Sequence, residues 1–244
     1  MKQIVCFGDS ITGGRYGIGF TRYLSMPLSV HGIDGDTLSN ILNRCTTWLK
    51  KPRPNSSCIV IEGGANDLLI PEMSRTNSNW ESLGTRVRMS GASPVERLDQ
   101  FVEQIDTSLR ELVARGKNLP VIVCSIPPLG ERLDSQLNRR RTLVNQALRQ
   151  IAIAHDCIWC DIGAALEALI KQTCVRLGWE QASGYLPGSP DSMQEDVAYI
   201  RGDESRAHIL SEHRLLVSTV DGLHPNALGA RLIAEIIERC IPIF

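Results

Sequence analysis

Two residues near the carboxyl end of the chain have the types and spacing of an acid–base pair. Asp221 and His224 lie three residues apart in the run Asp-Gly-Leu-His-Pro-Asn, directly before a predicted helix. A single tight turn lets the carboxylate reach Nδ1 of the imidazole, which leaves Nε2 free to accept a proton. A base held in this way is what a serine hydroxyl needs to become a nucleophile near neutral pH. The other histidines lack this arrangement, and we interpret them as surface or packing residues.

A glycine-rich turn near the amino end contains a serine. The run Gly-Asp-Ser-Ile-Thr-Gly-Gly at 8–14 begins where the first apolar run ends. The dinucleotide-binding pattern GxGxxG is absent, because Gly17 and Gly19 lack the third glycine. The P-loop pattern is absent too, because Gly14-Arg15 stands where Lys-Ser/Thr is needed. The segment Ser10–Gly13 is similar to the phosphate loop of flavodoxins, and it misses the GxSxG elbow of α/β-hydrolases only at Thr12. By itself this turn leaves both phosphate binding and a serine nucleophile open.

Two further turns contain groups that can stabilise a developing negative charge. Gly35 follows the second predicted strand and offers a backbone N–H with no side chain in the way. Asn66 follows the third predicted strand and offers a side-chain amide. Both turns lie at the carboxyl ends of parallel strands, where ligands of such sheets bind. Taken singly, each residue is explained equally simply as part of a turn.

Together, four segments resemble the sequence blocks of the SGNH (GDSL) hydrolase superfamily, in the same chain order and after the matching strands. The four segments are Gly8-Asp9-Ser10, Gly35, Gly64-x-Asn66-Asp67 and Asp221-x-x-His224. The resemblance spans residues 3–239, and the family's GDSL reads GDSI here, an exchange of one apolar residue for another.

The resemblance implies a role for each of these residues. Ser10 is expected to be the nucleophile, His224 the base, and Asp221 the acid that orients the base. An oxyanion hole is expected from the backbone N–H groups of Ser10 and Gly35 and from the side chain of Asn66. The implied activity is hydrolysis of carboxylic esters, or of thioesters, through an acyl-serine intermediate, with a small-molecule ester as substrate and without a metal or organic cofactor.

Two other functions stay open at this point. One is a flavodoxin-like protein that binds a flavin through the loop at 10–13. The other is a non-catalytic ligand-binding module on the same scaffold, which would have no need to keep Ser10, Asp221 and His224 together. The ester is not determined either, because sugar acetates, short acyl esters, lysophospholipids and thioesters all fit these residues.

Alternating apolar runs and helical patterns predict the elements that position these residues. Strands are predicted at 3–7, 28–32, 58–62, 120–125 and 157–161. Helices are predicted at 37–50, 94–115, 133–155, 163–172 and 227–240, the second of them with a capping box at 93–96. This alternation is typical of parallel sheets. The sequence therefore predicts a three-layer α/β/α fold with a five-stranded parallel sheet, flavodoxin-like in outline.

Two long segments interrupt the alternation. Residues 71–92 are polar and irregular, and residues 174–220 contain the run Gly-Tyr-Leu-Pro-Gly-Ser-Pro. Structureless stretches of this length are usually functional lids or poorly ordered insertions. We interpret both as insertions that border the site, within a single domain of residues 1–244, because no linker or repeat is present.

The composition narrows the list of partners. The chain has 244 residues, of which 43% are apolar, and a net charge of −1. This balance gives no electrostatic reason to expect nucleic acid or an anionic membrane as a partner, and the longest apolar runs are too short to span a bilayer. No secretion signal is apparent, so we expect a cytoplasmic protein with reduced cysteines. We interpret Cys157 and Cys160 as core residues rather than metal ligands.

Overall fold

The computed structural model describes residues 2–53, 55–89, 97–116 and 119–242, and a parallel sheet of five strands forms its centre. In chain order the strands are β1 (Gln3–Gly8), β2 (Leu28–Gly32), β3 (Ser56–Ile61), β4 (Val121–Cys124) and β5 (Ile158–Cys160). Their order across the sheet is β2-β1-β3-β4-β5. The predicted strands are confirmed to within two residues at each end, and the predicted α/β fold is confirmed.

The helices that have an apolar stripe in the sequence also lie where they were predicted. They are α2 (Leu38–Trp48), α5 (Leu98–Gly116), α6 (Gln136–Ala154), α7 (Ile162–Leu177) and α10 (Ala227–Cys240). The predicted start of α5, with its capping box at 93–96, lies outside the described residues. None of the helices in the described ranges combines the length and apolar content that a bilayer crossing needs.

The sheet separates two hydrophobic cores, which gives the fold its three layers. Alternate residues of β1 point to opposite faces, so that Val5 packs into one core and Cys6 into the other. The first core includes buried residues of α2, α5 and α6, and the second includes buried residues of α7 and α10. Strands β1, β3 and β4 are therefore covered on both sides, which explains the unbroken apolar runs at 4–7, 58–61 and 121–124 within them.

The irregular interpretation is wrong for residues 71–89, because most of them are helical, while residues 90–92 lie outside the described residues. Helix α3 (Ala65–Thr76) runs through Pro71, and α4 (Glu81–Met89) follows it. A proline inside a helix costs about 3 kcal/mol. Burial of Leu68, Leu69 and Ile70 offsets that cost, since each fully buried side chain of this size contributes about 1.5–3 kcal/mol.

The segment 174–220 is likewise helical over much of its length. It contains the end of α7, then α8 (Pro190–Ile200) and α9 (Glu204–His213). Ser189 caps α8 in a capping box and Asp203 caps α9, which are local signals that the sequence analysis overlooked. Ile200 and Ala207 are fully buried in the second core, so this segment is part of the packed structure rather than a detachable insertion.

The topology determines where a ligand can bind. The chain leaves β1 for β2 on one side and returns to β3 on the other side of β1. The loops after β1 and β3 therefore diverge and open a crevice at the carboxyl ends of these two strands, the usual ligand site of open α/β sheets. Ser10 follows β1 and Asn66 follows β3, so both predicted site residues lie at this crevice.

Candidate active site

Ser10, His224 and Asp221 form a continuous hydrogen-bonded chain in the crevice. The Ser10 hydroxyl lies 3.0 Å from Nε2 of His224, and Nδ1 of His224 lies 2.7 Å from a carboxylate oxygen of Asp221. All three residues are buried. The structure thus brings together the predicted nucleophile and base across 214 positions of sequence, in the geometry of a serine activated by an oriented imidazole.

The turn after β1 presents Ser10 to the crevice. Ser10 is the first residue of the short helix α1 (Ser10–Gly13), and the Asp9 carboxylate caps this helix by accepting the N–H of Ile11 at 2.9 Å. The turn is tight because a Cβ on Gly8 would lie only 2.0 Å from the Thr12 hydroxyl. Glycine is therefore required at position 8 for the strand to pass directly into the helix that carries the serine.

The turn from Asp221 to His224 is rigid. The second carboxylate oxygen of Asp221 accepts the backbone N–H groups of Leu223 and His224, at 2.9 and 2.7 Å. Gly222 has a φ of +85°, and a Cβ there would lie 2.3 Å from the carbonyl oxygen of Tyr185. The carboxylate therefore defines both the turn and the imidazole orientation.

The sequence analysis missed Glu131, whose side chain binds the segment 217–219 that precedes this turn. Its buried carboxylate accepts hydrogen bonds from the backbone N–H groups of Val217, Ser218 and Thr219, and from the hydroxyl groups of Ser218 and Thr219. These bonds span 86 to 88 positions, so no local pattern could have revealed them.

The electrostatics of the pair favour the charged form of both members. Burial acts to lower the pKa of His224, but the charge and hydrogen bond of Asp221 outweigh it, and the pKa is raised above the ordinary 6.5. Burial acts to raise the pKa of Asp221, but the charge of His224 and the hydrogen bonds from His224 and Leu223 hold the pKa below its usual range. Asp221 therefore stays ionised and stabilises the imidazolium that forms when His224 takes a proton.

Gly35 and Asn66, the two other predicted oxyanion donors, line the cavity into which Ser10 faces. Gly35 has a φ of +77°, a conformation that favours glycine, and it lines the cavity together with Ser10 and Asn66. The Asn66 amide donates to a carboxylate oxygen of Asp9 at 3.1 Å and to the backbone oxygen of Asp36 at 3.0 Å. The amide nitrogen is thus held at the crevice by two acceptors, and an oxyanion would compete with them for its protons.

The cavity beside Ser10 has a volume of about 330 Å³. Its lining combines the apolar side chains of Leu69, Trp80, Leu83 and Leu129 with the exposed polar side chains of Arg15, Asp34 and Gln194. Residues of both interrupting segments line it, namely Trp80 and Leu83 from the first and Pro190, Met193 and Gln194 from the second. The expectation that these segments border the site therefore agrees with the lining of the cavity.

Tyr16 is a second site residue that the sequence analysis missed. Its ring stacks on the His224 imidazole with the ring centres 4.9 Å apart. Its hydroxyl accepts a hydrogen bond of 2.6 Å from the amide of Gln194 on α8, 178 positions away. The His224 imidazole is thus packed against a ring whose hydroxyl is hydrogen-bonded to α8.

Two other histidines have part of the Ser10–His224–Asp221 arrangement, and neither has all of it. Ser29 lies 2.9 Å from Nε2 of His31, but no carboxylate in the described residues contacts that imidazole. His155 lies 2.8 Å from Asp106 without a serine hydroxyl on its ring. In the part of the chain that the structure describes, only His224 contacts both a serine and a carboxylate.

The cysteine interpretation agrees with the packing. Cys157 is buried in the first core and Cys160 in the second, so their side chains point to opposite faces of the sheet. Among the described residues, no group of three His, Cys, Asp or Glu side chains is placed to hold a metal ion. The prediction of a metal-free protein is testable by elemental analysis.

Comparisons with known proteins agree with this geometry. The model of the GDSL-like lipase/acylhydrolase family matches residues 6–232. No curated protein sequence matches the chain.

Several solved structures share the fold. The acetylxylan esterase Axe2 from Geobacillus stearothermophilus is 18% identical with a TM-score of 0.56, and the match covers 100% of this chain and 95% of that one. A member of the lipolytic G-D-S-L family from Veillonella parvula is 17% identical with a TM-score of 0.53, covering 98% and 97%. The acetyl xylan esterase AlAXEase is 16% identical with a TM-score of 0.57, covering 98% and 100%.

Proposed function

This chain belongs to the GDSL-like lipase/acylhydrolase family and is a carboxylic ester hydrolase, and from that premise we propose that Ser10, His224 and Asp221 are its catalytic triad. The observation that carries the proposal is the unbroken hydrogen-bonded chain from the Ser10 hydroxyl through His224 to the buried Asp221. The flavin-binding and non-catalytic alternatives are not favoured, because the family match identifies a serine hydrolase.

The geometry supports a two-step reaction. Ser10 Oγ attacks the ester carbonyl carbon while its proton passes to Nε2 of His224, and the resulting imidazolium is stabilised by Asp221. The tetrahedral intermediate then collapses, and His224 gives the proton to the leaving alcohol. In the second step His224 takes a proton from water, which attacks the acyl-serine, and Ser10 regains its proton when the acid leaves.

We assign the oxyanion hole to the backbone N–H groups of Ser10 and Gly35 and to the Asn66 amide. Support comes from their position, since all three residues line the cavity that contains the Ser10 hydroxyl. The Asn66 amide must turn one N–H from Asp9 or Asp36 toward the substrate oxygen when negative charge develops there.

We propose that the substrate is an ester of a short acyl group with a polar alcohol, such as an acetylated sugar. The cavity is small for a ligand site, and its lining combines apolar side chains with exposed polar ones. Two of the similar structures are of acetylxylan esterases. The test is a series of p-nitrophenyl esters of increasing acyl length beside acetylated xylo-oligosaccharides. The proposal expects kcat/KM to be highest for acetate, and a preference for long acyl chains would contradict it.

Activity is expected to rise with pH as His224 loses its proton. Because the pKa of His224 is raised above 6.5, the midpoint of the rise in kcat/KM is expected above pH 6.5. In Asp221→Asn the carboxylate that raises this pKa is absent while the burial that lowers it remains, so the midpoint is expected to move to lower pH. An unchanged midpoint in that variant would mean that another group is the base.

Removal of the Asn66 amide is expected to lower kcat more than it raises KM. Loss of one oxyanion donor typically costs about 10²–10³ in kcat, or about 3–4 kcal/mol. Asn66→Asp is expected to be at least as poor as Asn66→Ala, since a carboxylate repels the oxyanion. Asn145→Ala is the matched control, because within the described ranges the Asn145 amide bonds only to the backbone of Ile126. The control is expected to lower Tm and to retain kcat, and the same pattern in Asn66→Ala would refute the oxyanion role.

A further inference from the structure

The ring of Tyr16 covers one face of the His224 imidazole. The two rings stack with their centres 4.9 Å apart and their planes inclined by 25°. The edge of the imidazole is occupied by the other two members of the triad, Ser10 at Nε2 and Asp221 at Nδ1. His224 is buried and Tyr16 is partly buried. An aromatic face therefore contacts the base at right angles to the line along which its protons move.

The backbone on either side of the stack joins the two rings. The N–H of Ile18 donates to the carbonyl oxygen of Pro225 at 2.8 Å, which ties the segment after Tyr16 to the residue after His224. A Cβ on Gly17 would lie 2.4 Å from the same carbonyl oxygen and 3.2 Å from Cβ of His224. Glycine at position 17 therefore lets the two segments touch, and this contact places the ring of the preceding residue against the imidazole.

The side-chain amide of Gln194 on α8 binds the hydroxyl end of the Tyr16 ring. Its Nε2 donates to the Tyr16 hydroxyl at 2.6 Å, and its Oε1 accepts the Arg15 guanidinium at 3.0 Å. The guanidinium carbon of Arg15 lies 5.6 Å from the centre of the Tyr16 ring. The Arg15 side chain is 57% exposed and pairs with Asp34 at 3.6 Å, so water and this carboxylate weaken its charge at the ring. The ring is thus held both through its backbone and through its hydroxyl.

We propose that Tyr16 is a positioning residue of the reaction, whose ring holds the plane of the His224 imidazole and stabilises the imidazolium. The face of an aromatic ring carries partial negative charge and attracts a cation that lies within about 6 Å of the ring centre. The imidazole is neutral before the reaction and becomes a cation when it takes the Ser10 proton, so this attraction is gained as the transition state forms. The role rests on the proposed function, because it assumes that His224 is the base.

The charged groups that act on the imidazole come from several segments packed around it. Burial lowers the pKa of His224, and three carboxylates raise it, namely Asp221 on the same turn, Asp9 before α1 and Asp34 after β2. The cation near the stack, Arg15, opposes them from an exposed position. The Tyr16 ring acts in the same direction as the carboxylates, but through direct contact with the face of the imidazole. Removal of the face alone is therefore expected to make His224 a weaker base.

Tyr16→Leu separates attraction by the ring from mere exclusion of water. Leucine covers the imidazole without an aromatic face, so the midpoint of the rise in kcat/KM with pH is expected to move to lower pH. If the ring only excluded water, its loss would relieve the burial of His224 and move the midpoint to higher pH. A midpoint that is unchanged or higher in Tyr16→Leu would therefore overturn the proposal.

Tyr23→Leu is the matched control for this substitution. The Tyr23 hydroxyl also bonds to a remote helix, donating to Glu204 at 2.6 Å across 181 positions, and the Tyr23 ring also lies near a cation, Arg231, at 4.8 Å. Tyr23 lies outside the residues that line the cavity beside Ser10. The control is expected to lower Tm and to keep the wild-type midpoint, and a midpoint shifted as far as in Tyr16→Leu would contradict a specific role of Tyr16.

A change in the charge of the ring face at constant ring shape is the sharpest test. Tyr16→Phe keeps the aromatic face, whereas pentafluorophenylalanine at position 16 keeps the ring but reverses the charge distribution of its face. The midpoint is expected to stay near the wild-type value with phenylalanine. With pentafluorophenylalanine it is expected to fall by roughly one pH unit and the plateau of kcat by up to about tenfold, the size of a desolvated cation–π contact. Equal midpoints in these two variants would overturn the proposal.

The same difference can be measured without a substrate. Titration of the His224 ring protons by NMR, assigned by their loss in His224→Ala, is expected to show that this imidazole loses its proton at lower pH with pentafluorophenylalanine than with phenylalanine. The other four histidines are expected to titrate equally in both variants. Equal titrations of His224 would contradict the role of Tyr16, even in a fully active enzyme. Different titrations in a protein that hydrolyses no ester would instead contradict the proposed function.

Discussion

Replacement of Ser10 by alanine is expected to reduce ester hydrolysis by roughly 10⁴–10⁶-fold, because the members of a catalytic triad act as a unit. Among the described residues, the side chain of Ser10 has a single hydrogen bond, to His224, so the fold is expected to persist. The measurement is kcat/KM on a short acyl ester together with Tm. A variant that keeps its activity would show that another nucleophile acts.

The chain contains a matched control for this substitution. Ser29 has the same contact with an imidazole as Ser10, but its histidine lacks a carboxylate. Ser29→Ala is therefore expected to retain full activity. Intact-protein mass after treatment with an organophosphonate is expected to show one adduct on the wild-type protein and on Ser29→Ala, and none on Ser10→Ala. An adduct on any other serine would contradict the assignment.

Removal of His224 is expected to be nearly as damaging as removal of Ser10, and Asp221→Asn less so. Without the imidazole no group accepts the serine proton, so His224→Ala is expected to lose roughly 10⁴–10⁶-fold in kcat. Asp221→Asn keeps the imidazole but alters its tautomer and orientation, which costs about 10⁴ in a serine protease with the same triad. The order of kcat among wild type, Asp221→Asn and His224→Ala tests the two roles separately.

His155→Ala is the control for this pair of variants. His155 is hydrogen-bonded to Asp106 as His224 is to Asp221, but it lies outside the cavity. The control is expected to retain kcat, with at most a modest change in Tm because the pair is partly exposed. If Asp221→Asn proved as active as wild type, Asp221 would be a residue of the turn and not of the reaction.

Local patterns in the sequence determined the framework of the site. Strands β1, β3 and β4 are buried on both faces, and each contains an unbroken apolar run rich in Val, Ile and Cys that is visible in the sequence. The spacing of Asp221 and His224 is three residues, so a single turn determined their contact without any tertiary information. The ends of the apolar runs likewise placed Ser10 and Asn66 directly after their strands. The roles of these two residues came from the family resemblance.

Local sequence patterns did not predict the helices that lack a clear apolar stripe. Helix α3 contains Pro71, and α9 has mostly polar residues, with Ala207 and Ser211 as its buried positions. Periodicity predicts a helix only where one face is consistently apolar. These helices are stabilised by packing against the rest of the protein, and the sequence of the helix alone does not reveal that packing.

The sequence by itself determined the sheet, the main covering helices and the short-range geometry of the Asp221–His224 turn. Tertiary structure alone decided that Tyr16, which is hydrogen-bonded to Gln194, stacks on His224. It also decided that Glu131 binds the chain before Asp221 and that Asp9 accepts the Asn66 amide. The physical reason is distance along the chain. Backbone periodicity and tight turns act within a few residues and leave a readable pattern, whereas a polar contact between remote segments exists only after the cores have packed and brought them together.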